Sequence, residues 1–205
     1  SRSVAVGHQA LNAQNFTSAT SAYNVAVGAN AGAGVTTGTN NTLIGGLAGD
    51  AITTASGNSA LGYLALSAET QGKASVAIGY EALKLQNTTS DSFIFNTAVG
   101  YGAGASVTTG IKNTLIGGLS GDAITTGRFN TSLGYNSLSA TTTADGNTAI
   151  GNDALPSNTT GASNTALGSG ALFVNTTASN NTAVGMNSLE ANTTGDQNVS
   201  VGSSS

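Results

Sequence analysis

The residues able to do chemistry are few, and they stand apart from the neighbours their chemistry needs. His8 is the single histidine and cysteine is absent. No His/Cys set at metal-ligand spacing can form, and no partner for a nucleophilic triad is in view. The nine acids are scattered and give no spaced pair of the kind glycoside hydrolysis uses. Asp50 lies in GGLAGDAIT at 45–53 and Asp122 in a near copy at 117–125, a pattern close to the calcium nonapeptide. Ala48 stands where that motif needs glycine, and the copy begins only at Gly117 instead of following directly on the first. Both aspartates are therefore read as solvent-facing. No catalytic residue, metal or cofactor is assigned.

Contact chemistry is better represented. Tyr63, Tyr80, Tyr101 and Tyr135 each follow a recurring glycine, and the first three fall in consecutive units. They can form a stripe, either a structural ladder or a surface on which sugars stack. Two segments, NFTSATSAY at 15–23 and NTTSDSFIF at 87–95, bring Phe16, Tyr23, Phe93, Ile94 and Phe95, although aromatics make up only 5% of the chain. These residues either contact a receptor or glycan, or fold back as a flap over an interface seam. Paired threonines suggest an ice-matching array, but neighbours on a strand face opposite ways and these precede a turn. Sequons such as Asn15-Phe16-Thr17 are expected by chance in a chain this rich in Asn and Thr.

The elements that position these residues are set by a period. The glycine of N-T-x-(V/I/L)-G recurs at Gly7, Gly28, Gly45, Gly62, Gly79, Gly100, Gly117, Gly134, Gly151, Gly168, Gly185 and Gly202. Nine of the steps equal that from Gly28 to Gly45. The other two, Gly7 to Gly28 and Gly79 to Gly100, are four positions longer and carry the aromatic segments. A second period, from Gly7 to Gly79, lays residues 24–68 on 96–140 with 31 of 45 positions identical. Such regularity signals a repeat architecture.

Each column of the repeat has a physical reading. Val, Ile or Leu precedes the anchor glycine, mostly Ala or Leu precedes that, and Asn stands four before it in ten units, including Asn24, Asn41, Asn58, Asn96 and Asn113. Ser3 and Ser75 fill the other two. This β-branched run bounded by turn residues predicts a strand. The x-x-A-L segment after Gly28, Gly45, Gly62, Gly100, Gly117 and their equivalents predicts a second strand, and T-T-G a turn. The Asn column predicts a ladder bonded from coil to coil. Where Leu is replaced by Gly four after the anchor, at Gly32, Gly49, Gly104 and Gly121, the residue three further on is Val35, Ile52, Val107 or Ile124. The second side chain is expected to fill the space the Leu leaves, since an empty buried site costs about 2–5 kcal/mol.

The chain is thus expected to be all-β: a parallel β-solenoid of about twelve 17-residue coils, one repeat domain over 1–205. Alternation along the strand sends the two residues before each glycine to opposite faces, yet both columns are apolar. The outward one needs a cover, which implies a homo-oligomer. Charged residues are 7% against about a quarter in ordinary domains. A net charge of −4 argues against nucleic acid as a partner. With no apolar run long enough to span a bilayer and no initiating Met, the chain reads as a fragment of a longer fibrous protein that does not itself insert into a membrane.

The phrases NTAVGYGAG at 96–104, NTAIGNDAL at 147–155 and NTAVGMNSL at 181–189 resemble the YadA-like head repeats of trimeric autotransporter adhesins, repeats also found in bacteriophage tail fibres. The resemblance covers nearly the whole chain. It implies a left-handed parallel β-roll, three chains side by side as a homotrimer, no catalytic residues, and an extracellular place on a bacterial cell surface or virion tail. It further implies attachment to a host-surface glycan or protein, or service as a plain structural shaft.

Overall fold

The computed structural model describes residues 2–16 and 21–205. Twelve three-residue strands form one sheet: β1 Val4–Val6, β2 Val25–Val27, β3 Thr42–Ile44, β4 Ser59–Leu61, β5 Val76–Ile78, β6 Thr97–Val99, β7 Thr114–Ile116, β8 Thr131–Leu133, β9 Thr148–Ile150, β10 Thr165–Leu167, β11 Thr182–Val184 and β12 Val199–Val201. They are all parallel and lie in chain order. The register is a strict stack, Ala26 on Leu43 and Leu43 on Ala60. A parallel in-register sheet between consecutive strands requires the chain to go round once per strand, so this is a β-solenoid with eleven complete windings. Among the described residues no helix is long and apolar enough to cross a membrane.

The strand centre points into the roll. Ala26, Leu43, Ala77, Ala98, Leu115 and Ala149 are fully buried, while Leu61, Ile78, Leu133 and Leu167, the residues just before the anchor glycine, remain exposed. Two observations make the anchor irreplaceable. Its φ is between +127° and +144° in all twelve coils. A Cβ added at Gly7 would also lie 2.6 Å from the carbonyl oxygen of Gly28 in the next coil, and those at Gly62 and Gly134 would run into the carbonyl oxygens of Gly79 and Gly151. Backbones pass too closely there for any side chain.

The x-x-A-L segment is not a second strand, contrary to the expectation above. It is a turn in which every second residue is left-handed, as in Leu64 (φ 57°) and Leu66 (φ 55°), or Glu81 (φ 56°) and Leu83 (φ 48°). The reason is burial: Ala65 and Leu66 are both 0% exposed, as are Ala82 and Leu83. An extended strand sends neighbours to opposite faces, whereas the left-handed turn lets both side chains enter the roll. This side is still tied coil to coil through alternate amides, with Leu66 N donating to Ala82 O at 3.0 Å and Ala68 N to Lys84 O at 3.1 Å.

The Gly-for-Leu replacements are packing variants, as expected, but two side chains fill each vacancy. A Cβ at Gly49 would meet both Ile52 Cδ1 and Leu43 Cδ2 at 2.8 Å, and one at Gly121 would meet Leu115 and Ile124. Leu43 and Leu115, which replace the usual strand alanine, occupy the remainder of the space. The buried Asn column binds each coil to the next. Asn24 Oδ1 accepts from Asn41 N at 2.9 Å, and Asn24 Nδ2 donates to Gly38 O at 2.8 Å. Asn41 does the same toward Asn58 N and Ala55 O, and Asn96 toward Asn113 N and Gly110 O.

Candidate functional site

Three surfaces stand on this scaffold: an aliphatic ribbon, a tyrosine ladder beside it, and an aromatic cluster at the second of the longer coils. The ribbon is the outer face of the sheet, formed by the residue before each anchor from Val6 to Val201. Eleven steps of about 4.8 Å give it a length of about 53 Å, and on the order of 500 Å² of apolar surface. That is at the upper end of what a monomer carries without a partner.

The tyrosine ladder follows the ribbon one residue beyond each anchor. Tyr63 and Tyr80 stack with ring centroids 5.5 Å apart at 27°, and Tyr80 and Tyr101 at 5.3 Å and 7°. In-register coils explain the stacking, because the coil repeat delivers successive rings at the distance offset aromatic pairs favour. All three rings remain exposed. The carboxylate of Glu81 beside Tyr80 raises that phenol above its ordinary range, helped by desolvation. Glu81 also takes the Lys84 ammonium at 3.1 Å.

At the second insertion Phe93 and Phe95 point outward and stack at 5.4 Å, with rings 9° from parallel. Ile94 between them is 1% exposed, and it faces the Cβ position of Gly72. Ile94 is therefore removed from the receptor-contact set: strand-like alternation turns it into the roll while its neighbours face solvent. Lys73 lies 5.9 Å from the Phe93 ring and pairs with Asp91. One edge continues with Lys112 stacked 5.4 Å over Phe129. At the first insertion Phe16 is half-buried and Tyr23 exposed, its hydroxyl accepting from Arg2 at 2.7 Å. Residues 17–20 of that segment lie outside the described residues.

A buried polar network beneath the second insertion escaped the sequence reading. Glu69, fully buried, accepts from the backbone amides of Thr70, Gln71, Gly72 and Thr88 at 2.7–3.2 Å, and from the Thr88 hydroxyl and Gln86 Nε2. Gln86 Nε2 also donates to Ser75 Oγ at 3.0 Å, and Gln86 Oε1 accepts from Asn96 Nδ2. The same pairing occurs at the first insertion, where Gln14 Nε2 donates to Ser3 Oγ. The signal was present: both coils that lack the column Asn carry a Gln eleven places later and are the two that are longer.

Asp50 and Asp122 are half-buried, not open to solvent as expected, and each has an Oδ1 without a hydrogen-bond partner. Burial raises both carboxyls above the usual 3.8. His8 is exposed, and among the described residues no three His, Cys, Asp or Glu side chains gather as a metal site. What the arrangement offers is contact surface: aromatic faces, an apolar ribbon, and polar ladders whose hydrogen bonds are turned inward. Comparisons with protein-family models, with curated proteins and with solved structures each return no match for this chain.

Proposed function

We propose that this chain is a segment of an extracellular fibre, on a bacterial cell surface or a virion tail, that attaches its bearer to another surface as a homotrimer of left-handed rolls. The reading is supported by one observation above the others: an unbroken aliphatic ribbon faces outward along every coil, with nothing among the described residues to cover it. Side-by-side copies bury such a ribbon along its whole length, and three copies repeat each weak surface contact, so that attachment works by avidity. The likeness to YadA-like head repeats supports the trimer and the hand of the winding. Attachment to a host glycan or protein follows from the exposed aromatic faces and requires no catalysis.

The unbroken Asn ladder favours a second reading, a rigid shaft with no ligand of its own. Light scattering on the purified chain tests the assembly, with three protomers expected. A charge placed in the ribbon, Ile116→Glu, should dissociate them, and a stable wild-type monomer would sink the proposal. Binding of the trimer to host cells or immobilised glycans, reduced by replacing Phe93 and Phe95 with serine, separates attachment from a plain shaft. Cleavage of those glycans would instead point to an enzyme.

A further inference from the structure

The tyrosine ladder has one missing rung. Tyr63, Tyr80 and Tyr101 occupy three consecutive coils, Gly118 holds the same position in the next, and Tyr135 resumes in the one after. The rings share one orientation. A Cβ built at Gly46 lies 3.4 Å from Tyr63 Cδ2 and 3.8 Å from Cε2, and one at Gly118 lies 3.5 Å and 3.9 Å from the same atoms of Tyr135. Each ring thus leans over the preceding coil by the same amount. Stacking at 5.3–5.5 Å per coil puts the rings of Tyr101 and Tyr135 two steps apart, about 11 Å between centroids. The space between them is a slot with aromatic walls and a glycine floor.

We propose that this slot, between Tyr101 and Tyr135 over Gly118, binds one neutral hexopyranose unit of a glycan, which rests on the attachment reading and names its ligand and site. The width selects the ring. Carbon contact at 3.5–4.0 Å on both faces takes up about 7–8 Å of the gap for a flat aromatic group. A chair-shaped pyranose with axial hydrogens takes up more and meets both walls. The rim suits hydroxyls. Both walls end in phenols, and Asn136, next to Tyr135, donates to Asp153 Oδ1 at 2.7 Å while Asn152 donates to Oδ2 at 2.6 Å. Charge selects against acidic sugars, because Glu81 and Asp153 flank the ladder and Lys84 is engaged by Glu81.

The test uses the full chain in its assembled state, titrated with cellohexaose, chitohexaose, maltohexaose and a galacto-hexaose, read by tyrosine fluorescence and by chemical shifts. Gly118→Tyr closes the slot with a side chain the same column already carries in four coils. Gly118 is free of positive φ, and its Cβ position makes ordinary contacts, so the fold is kept. At least one hexaose is expected to bind. Gly118→Tyr and Tyr135→Ala should each weaken it at least tenfold, with Tyr63→Ala within twofold of wild type. Binding that survives Gly118→Tyr, equal loss on Tyr63→Ala, or no response to any of the four sugars overturns the slot. If the slot fails while the trimer still adheres to host cells, attachment stands without it. If adhesion is absent as well, both readings fall.

Discussion

Two stretches of this molecule, residues 24–68 and 96–140, carry the same run of coils and differ in how they fill their interiors. Three of the differences are Ala48, Ala60 and Ala65 in the first against Ser120, Ser132 and Ser137 in the second. All six are fully buried or within 1% of it. In the first stretch the alanines belong to an unbroken apolar core running from Leu11 to Ile124. In the second the serines meet: Ser120 Oγ bonds Ser132 Oγ at 2.8 Å, and Ser132 Oγ bonds Ser137 Oγ. The apolar core stops there and restarts at Leu138. One lone hydroxyl in place of a buried alanine costs about 1–3 kcal/mol, while hydroxyls that satisfy one another remove most of that cost. Three changes were tolerated because they arrived at one point. The stretches also part at their ends, where Glu69 with its six donors corresponds to Thr141.

The comparison breaks first at its shared part. Gly62→Ala and Gly134→Ala put a methyl against a neighbouring carbonyl in a backbone region closed to other residues, and each should cost about 3 kcal/mol or more. Thermal unfolding followed by circular dichroism measures it, and equal, severe losses are expected in the two copies. A Gly134→Ala chain that melts with the wild type would show that the coils do not pack as described. Glu69→Ala strands several buried amides and should lower stability by about 3 kcal/mol, while Thr141→Ala, at the matching place, should cost about 1 kcal/mol. Similar losses at both sites in denaturant melts would mean that the carboxylate is not the hub of that network.

The serine cluster sharpens the contrast. Ser132→Ala alone leaves two hydroxyls without their common partner and should cost about 1–2 kcal/mol. Replacing Ser120, Ser132 and Ser137 together by alanine copies the first stretch and should come within about 0.5 kcal/mol of wild type or above it. Strict additivity of the three single losses would refute the mutual-satisfaction argument. The smallest effect concerns Asp50 and Asp122, equivalent in the two stretches. Burial raises both folded carboxyls above 3.8, so the folded chain binds their protons more readily than the unfolded one. Their effect on stability is most favourable below 3.8 and is lost as pH rises through the raised folded values. In melts compared from neutral to acid pH, the wild type should gain on the double variant Asp50→Asn/Asp122→Asn toward the acid end. A wild type that instead falls further behind on acidification would reverse the sign.

Much of this was readable from columns. The strand, the glycine anchor and the Asn position repeat in nearly every coil because each makes the same contact with the coil before and after it, so the spacing alone locates them. The candidate aromatic segment was readable as residue types, but Phe93, Ile94 and Phe95 look alike in sequence and only the fold turns the middle one inward. The gap at Gly118 was visible as a letter in a column. That it is a slot depends on rings all leaning one way.

The period, the all-β character and the need for a partner on the outer ribbon are properties of the sequence by itself, since they follow from residue types at fixed intervals. The left-handed turn through Leu64 and Leu66, the Glu69 network and the meeting of three serines belong to the tertiary structure alone. Each is locally unfavourable, a leucine at positive φ, a buried carboxylate or a buried hydroxyl, and each persists because residues of the same or adjacent coils are brought against it by winding the chain once per strand.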